Sequence, residues 1–405
     1  VYKRQVLVQP PTQVAPPVPS QDQTGQRIDI PDIANQRSDA SPSPSDLPPP
    51  AIQPDDDAGA LPPPALPPQL TNSTASRSAL GITLGSSSAV PNMMGDLFGG
   101  LLFLQSSFDS TVALAGGDRR FKVAENVSPI PQDRLFFNFN HFKNAVTDVD
   151  GVTRSLDRYT LGLEKTVLGG GASVELRLPI VSGLATFQSA GYDNTDVEFG
   201  NLAMYAKAIL MSGPNWALSG GLAMTLPTSR DAQVDTGGEL IEIESDSVHL
   251  APFLGYVTQP NRCWFAQGFV QADFDLNGND VYDGTLSDRI YRGTVQDQNL
   301  LFLDASIGRW IHRSCDPCRR LRAVAVIAEL HYTTTLNDTD VVSPFGGSPY
   351  AISNPYNRMD IINATGAVVI QCPTAAFRFG AAAPLRDGEE RVFDSEIIFQ
   401  FNRFF

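Results

Sequence analysis

From Asp133 to the last residue, apolar and polar side chains alternate in runs of roughly 9 to 14 residues, enough for a tilted strand to cross a bilayer. The pattern predicts about twelve strands. They fall near 134–143, 157–166, 172–180, 198–211, 215–226, 247–257, 263–275, 298–311, 320–333, 358–371, 375–383 and 392–405. In the last run, Phe393, Ile397, Phe399, Phe401 and Phe405 alternate with Asp394, Glu396, Gln400 and Asn402. A period of two puts these sets on opposite faces, one apolar enough for lipid and one wet. Elsewhere Val174, Leu176 and Leu178 oppose Glu175 and Arg177. Leu301, Leu303, Ala305, Ile307 and Ile311 oppose Asp304 and Ser306, and Val324, Val326 and Leu330 oppose Glu329 and His331.

The connections follow a second rhythm. Links at 168–171, 212–214, 258–262, 312–319 and 372–374 are short. Those at 144–156, 181–198, 227–247, 276–297 and 334–357 are long, and only the last of that set, near 384–391, is brief. A soluble sandwich has no reason to alternate in this way. A transmembrane barrel does, with short periplasmic turns, longer outer loops and an even strand count. The expected fold is all-β, an antiparallel transmembrane β-barrel of about twelve strands.

Composition divides the chain into three. Residues 1–78, with SPSPSDLPPP and LPPPALPPQ, hold too little apolar material for a core and read as a disordered Pro-rich linker. Residues 79–132 carry Met93, Met94, Phe98, Leu101, Leu102 and Phe103 without a clean period. They read as a plug-like lead-in packed on or inside the periplasmic end of the barrel, since these side chains are costly to expose. Residues 133–405 are the barrel. No run reaches the roughly 18 apolar residues of a membrane helix. The net charge of −15, from 29 basic and 44 acidic residues, argues against nucleic acid, whose phosphates it would repel. The chain opens at Val1 without an apolar leader stretch, so a secretory leader is expected to have been removed or to be missing from the sequence.

The terminal strand ending on Phe405 resembles the closing strand of a Gram-negative outer-membrane barrel, with Arg403 where an aromatic is usual. FFNFNHF, LDRYTLGLEKT, ASVELRLPI, GLAMTLPTS, HLAPFLGY and PNMMGDLFGG resemble a family of planctomycete outer-membrane barrels, distantly similar to FadL-like barrels associated with phenol degradation by the meta pathway. The resemblance covers about 90–405 of the chain. It implies transport across the outer membrane, and recognition of Phe405 by the barrel-assembly machinery. Its motifs are strand ends and turns, so they specify architecture better than substrate.

Polar-phase positions of the strands are candidates for lining the lumen and setting solute preference: Arg158, Glu164, Glu175, Arg177, Tyr205, Lys207, Asp304, Glu329, His331, Asn363, Arg378 and Glu396. The same residues would equally serve as interior salt bridges. No catalytic residue is assigned. His312, Arg313 and Ser314 have the His-x-Ser spacing of an outer-membrane phospholipase, but they lie in a short turn away from outer-leaflet esters. Asp273, Asp275, Asn277, Asn279 and Asp280 copy the start of a calcium loop. Gly284 stands where a full EF-hand needs a bidentate Glu, so calcium is at most a loose extracellular ligand. Glu239, Glu242, Glu244 and Asp246 form a second acidic stretch, suited to bridging to lipopolysaccharide through divalent cations. No other cofactor is expected.

Cys263, Cys315, Cys318 and Cys372 fall in or beside three consecutive short turns. In an oxidising periplasm this arrangement predicts Cys263–Cys315 and Cys318–Cys372 bridges. The swapped pairing, a Cys315–Cys318 redox pair and a zinc site are the alternatives. Taken together, the sequence indicates an outer-membrane channel for passive uptake of a small solute, with its tail in the periplasm. The rival readings are an anchor that links the barrel to the cell wall through the Pro-rich tail, and an outer-membrane lipid hydrolase.

Overall fold

The structure, a computed structural model, describes residues 90–96, 102–105, 109–112, 120–236, 240–285, 288–314, 316, 318–343, 351–353 and 358–405. The Pro-rich stretch 1–78, the first part of the lead-in, Glu239 and Cys315 lie outside the described residues.

Twelve strands form the barrel: β1 Arg134–Thr147, β2 Thr153–Val167, β3 Ala172–Ser182, β4 Leu202–Gly213, β5 Trp216–Leu226, β6 His249–Thr258, β7 Trp264–Asp275, β8 Leu300–Arg313, β9 Ala323–Thr335, β10 Asp360–Gln371, β11 Ala375–Pro384 and β12 Ser395–Phe404. Each pairs antiparallel with the strand before and after it. The last closes on the first, in the register Phe399↔Phe139 and Asn402↔Phe136. Closure leaves no barrel strand with an unpaired edge, and lipid would tolerate none. The strands run from 10 to 15 residues, long enough to span hydrocarbon when tilted.

The exterior is inverted relative to a protein in water. Leu161, Leu176, Leu254, Ile307, Leu330, Phe379 and Ile397 are all exposed on the outer face. Rings pair across neighbouring strands there, Phe377 with Phe401 at 5.1 Å and Phe379 with Phe399 at 5.1 Å. A soluble monomer rarely bears so large an apolar patch, whereas a transmembrane barrel requires one.

Glycine and phenylalanine solve one packing problem repeatedly on the inner face. Phe136, Phe253, Phe265 and Phe269 stand opposite Gly162, Gly221, Gly308 and Gly255 in register. Each ring lies over its glycine, so a Cβ on Gly308 would sit 2.0 Å from Phe265 Cζ. A large ring on one strand is accommodated by the absence of a side chain on the next.

The long loops hold more regular structure than their sequence predicts. Segments Phe187–Ser189, Ala232–Asp235, Leu240–Ile243, Asn279–Thr285 and Asp288–Val295 form a five-stranded sheet beyond the barrel. Ala232, Val234, Ile241, Ile243 and Val281 build a separate small core there. These strands are short and mutually dependent, so no single one carries a clear period. The run expected at 198–211 is likewise split: Val197–Phe199 forms its own short strand against β3, and β4 starts at Leu202.

Candidate functional site: the occupied lumen

The barrel interior is filled by the chain itself. Residues 90–96 run along the inner wall, and residues 120–132 return antiparallel beside them, with Met93 N–H donating to Val127 O at 3.0 Å. Between the two limbs, Leu102–Gln105 pairs with Asp109–Val112 and with Ala351–Ser353 of a long loop. The lead-in is therefore not confined to the short-turn end, as its sequence suggested. Its described parts extend from there through the lumen to the long-loop side. The physical reason is that its backbone groups meet wall partners at several levels, Glu329, Gln271 and Arg378 among them.

At the short-turn end the contacts are apolar. Val90 and Ile130 pack with Ala217, Val257, Phe265 and Trp310, while Gln267 Nε2 donates to Pro91 O at 2.7 Å.

Above this floor the interior becomes ionic. Asn126, in the left-handed region at φ 53°, is a hub. Its carbonyl accepts from Arg134 at 2.6 Å and from Asn92 at 3.0 Å, and its amide donates to Asn138 at 2.6 Å. Its Oδ1 also accepts from Arg378 and from Asn402. Arg134 bridges Glu164 and Glu175 at 2.7 Å each. Lys207 contacts Glu164 at 2.9 Å and donates to Ser128 O at 2.7 Å. Arg177 pairs with Glu175 at 2.6 Å.

Across the lumen, both oxygens of Glu329 accept from Met94 N–H at 3.0 Å, and one also accepts from Gly95 N–H at 3.0 Å. Lys122 reaches Asp96 at 2.6 Å and Asp304 at 3.4 Å. His331 Nδ1 lies 2.7 Å from Asp304, and Asn363 donates to Asp96 at 2.6 Å. Arg158 pairs with Glu125, and Asn140 donates to Glu396 at 2.7 Å. Nearest the long loops, Arg120 donates to Gln298 O at 2.5 Å, and His249 Nδ1 lies 2.8 Å from Asp273.

All twelve lumen candidates face inward and are buried, as the strand phase implied. Most of them hold the internal segment or hold residues that do, rather than facing an open channel. Beside the segment, a cavity of about 10 Å³ is lined by Val123, Val127, Ser173, Glu175, Tyr205, Lys207 and Phe253, room for about one water. Sequence reasoning missed the segment's own partners, Asp96, Lys122, Glu125 and Asn126. It also missed the wall amides Gln267, Gln271 and Gln400. The amides do lie on the polar phase of their strands, so counting uncharged polar residues would have found them. The limbs have no period, and only the fold shows which of their residues meet the wall.

Other sequence candidates are dispersed. The five residues of the calcium-loop motif are divided between two places. Asp273 and Asp275 turn inward beside His249, whereas Asp280 clusters with Glu244 and Asp246 in the loop sheet. Asn277 and Asn279 are engaged with backbone N–H groups of Val248 and Ser247. Strand alternation separates what the linear motif placed together. Glu242 and Glu244 are both paired with Arg289, at 2.9 and 2.7 Å. The cysteine staple is corrected too: Cys263, Cys318 and Cys372 are free thiols, so the Cys318–Cys372 bridge is not formed. Cys318 N–H is tied into its own turn by Asp316 Oδ1 at 2.8 Å, which leaves the residue exposed.

A closed antiparallel barrel with an apolar exterior and a charged, occupied interior defines the class: a transmembrane β-barrel of the outer-membrane kind. No family model matches the chain, and no curated relative does. Among solved structures, an outer-membrane channel from Pseudomonas putida is 12% identical, covering 68% of this chain and 97% of that one at a TM-score of 0.44. The NanC porin is 10% identical, covering 67% and 99% at 0.38. The toluene transporter TodX of Pseudomonas putida is 9% identical, covering 77% and 98% at 0.35.

Proposed function

We propose that this chain is an outer-membrane channel for passive passage of a small polar solute, held shut by its own internal segment. The observation that carries the reading is how the segment is held. Met93, Met94, Phe121, Val123 and Val127 pack on apolar wall residues, and beside them hydrogen bonds and ion pairs from buried polar groups of the wall grip the segment. A polar wall of this kind can take up water when the segment leaves, which a wholly apolar lumen cannot, each exchanged bond costing about 1 kcal/mol net, or about 1.5–3 kcal/mol where one partner is charged. Both signs of charge line the wall that withdrawal would expose, and these would set solute preference. No chemical step is involved.

The long loops lie outside the cell and the Pro-rich tail in the periplasm, where it spaces the barrel from the cell wall. Phe405 serves as the assembly signal, and the acidic loops contact lipopolysaccharide through divalent cations such as calcium. Protease added to intact cells should then cut within 227–247 or 276–297 and spare the tail. The second reading, a barrel used only as an anchor, is favoured by the filled lumen. Planar-bilayer recording separates the two. A channel gives discrete openings in the native chain and steady conductance after deletion of 90–132. An anchor stays silent at every potential while the deletion variant conducts.

A further inference from the structure

The short-turn rim carries a charge pattern that neither the lumen nor the channel reading uses. The chain as a whole is strongly acidic, yet Arg262, Arg309, Arg313, Arg319 and Arg320 are gathered on the rim of β7, β8 and the turn before β9. All five are exposed. Among the described residues, no carboxylate forms an ion pair with Arg262, Arg309, Arg319 or Arg320. The acid of that turn, Asp316, has its Oδ1 engaged by Cys318 N–H.

Arg309 is the most informative of them. It stands on the outward phase of β8 between Ile307 and Ile311, both exposed. Its register partners on either side are Trp264 and Val326, also exposed and apolar. A guanidinium is thus set in the lipid-facing wall with apolar neighbours on four sides, its cationic centre 5.5 Å from the centroid of the Trp264 ring. Trp264 is the first residue of β7, so this pair lies at the membrane interface rather than at mid-depth. Tryptophan favours that level, and a lipid-facing Arg is tolerated there at little cost. Arg313, at the end of β8, lies 4.9 Å from the ring centroid of the buried Trp310 and donates to Arg262 O at 3.3 Å.

We propose that this rim is a binding site for an anionic glycerophospholipid of the leaflet bordering the short turns. Arg309 takes the phosphodiester in a bidentate grip, the acyl chains lie against Ile307, Ile311 and Val326, and Arg319 and Arg320 add their positive field at the same anionic head group. A guanidinium fork matches phosphate oxygens in a way that a lysine ammonium does not. The apolar ring around Arg309 selects a lipid over free phosphate, since a soluble anion gains nothing from Ile307 and Ile311.

Native mass spectrometry of the full chain in detergent tests this with phosphatidylglycerol, and with phosphatidylcholine of the same acyl chains as the zwitterionic control. Phosphatidylglycerol should be retained preferentially, and 10 mM inorganic phosphate should not displace it. Arg309→Gln should weaken retention about fivefold, and Arg319→Gln with Arg320→Gln about 25-fold, from roughly 1 kcal/mol per arginine near an anionic lipid. The turn variants leave the strands untouched and keep the test decisive if Arg309→Gln fails to fold. Equal retention of the two lipids would overturn the proposal. So would displacement by phosphate, unchanged binding in the turn variants, or binding of soluble polyglutamate in place of lipid.

Discussion

Removing the carboxylate of Glu329 should unlatch the internal segment. In the structure this single side chain accepts the backbone N–H groups of Met94 and Gly95, each at 3.0 Å, and lies 3.3 Å from His331 Nε2. It is buried on the inner wall of β9. A hydrogen bond to a charged group contributes about 1.5–3 kcal/mol net, so the two backbone bonds hold the segment by at least about 3 kcal/mol. In Glu329→Ala both donors are left buried and unpaired, which adds to the loss. At 1.4 kcal/mol per factor of ten, the ratio of withdrawn to seated segment should rise more than about a hundredfold. Glu329→Gln retains one acceptor oxygen and should lie between the two. Single-channel recording measures this as open probability, with resistance of the folded barrel to SDS at room temperature as a check on folding. An Ala variant that folds normally and opens no more often than the native chain would refute the latch, and with it the idea that polar contacts hold the channel shut.

Three further outcomes follow from the same geometry. Asn126→Ala removes the acceptor shared by Arg134 and Arg378 and places alanine at a positive φ. Hydrogen exchange in 120–132 should accelerate at least tenfold, whereas Asn126→Asp, which sets a negative charge between the two guanidiniums, should slow it. Gly308→Val drives a side chain into the Phe265 ring and should lower stability to urea in micelles by about 1–3 kcal/mol, with Phe265→Leu restoring part of the loss. In the loop sheet, burial and then the carboxylates of Glu244, Asp280 and Asp231 push the Asp246 carboxyl above its ordinary value. The fold therefore favours protonated Asp246, and that stabilisation is lost as pH rises beyond the aspartate range. Asp246→Asn should accordingly slow thermolysin cleavage near 230–246 at neutral pH, yet give no protection from pepsin at about pH 3, where the native group is already neutral.

The sequence by itself determined the barrel. Alternation in β8 and β9 placed Leu301, Leu303 and Ile307 in lipid and Asp304, Glu329 and His331 inside, because a strand has only two faces and a closed barrel has only one wet one. Connection lengths separated its two ends for the same economical reason. Tertiary structure alone decided what the inside contains. Residues 90–96 and 120–132 have no period, and their backbone N–H and C=O groups are satisfied by Glu329, Gln271 and Arg378 from strands far away in the chain, so no local signal marks them as an occupant of the lumen. Nor does the linear calcium-loop motif show that Asp273 and Asp275 face inward while Asp280 turns to the loop sheet. Adjacency in sequence misled at the cysteines, where neighbouring turns do not bring Cys318 and Cys372 into a bond. A pleated strand fixes which way a side chain points, but which distant group it meets depends on the packing of the whole chain.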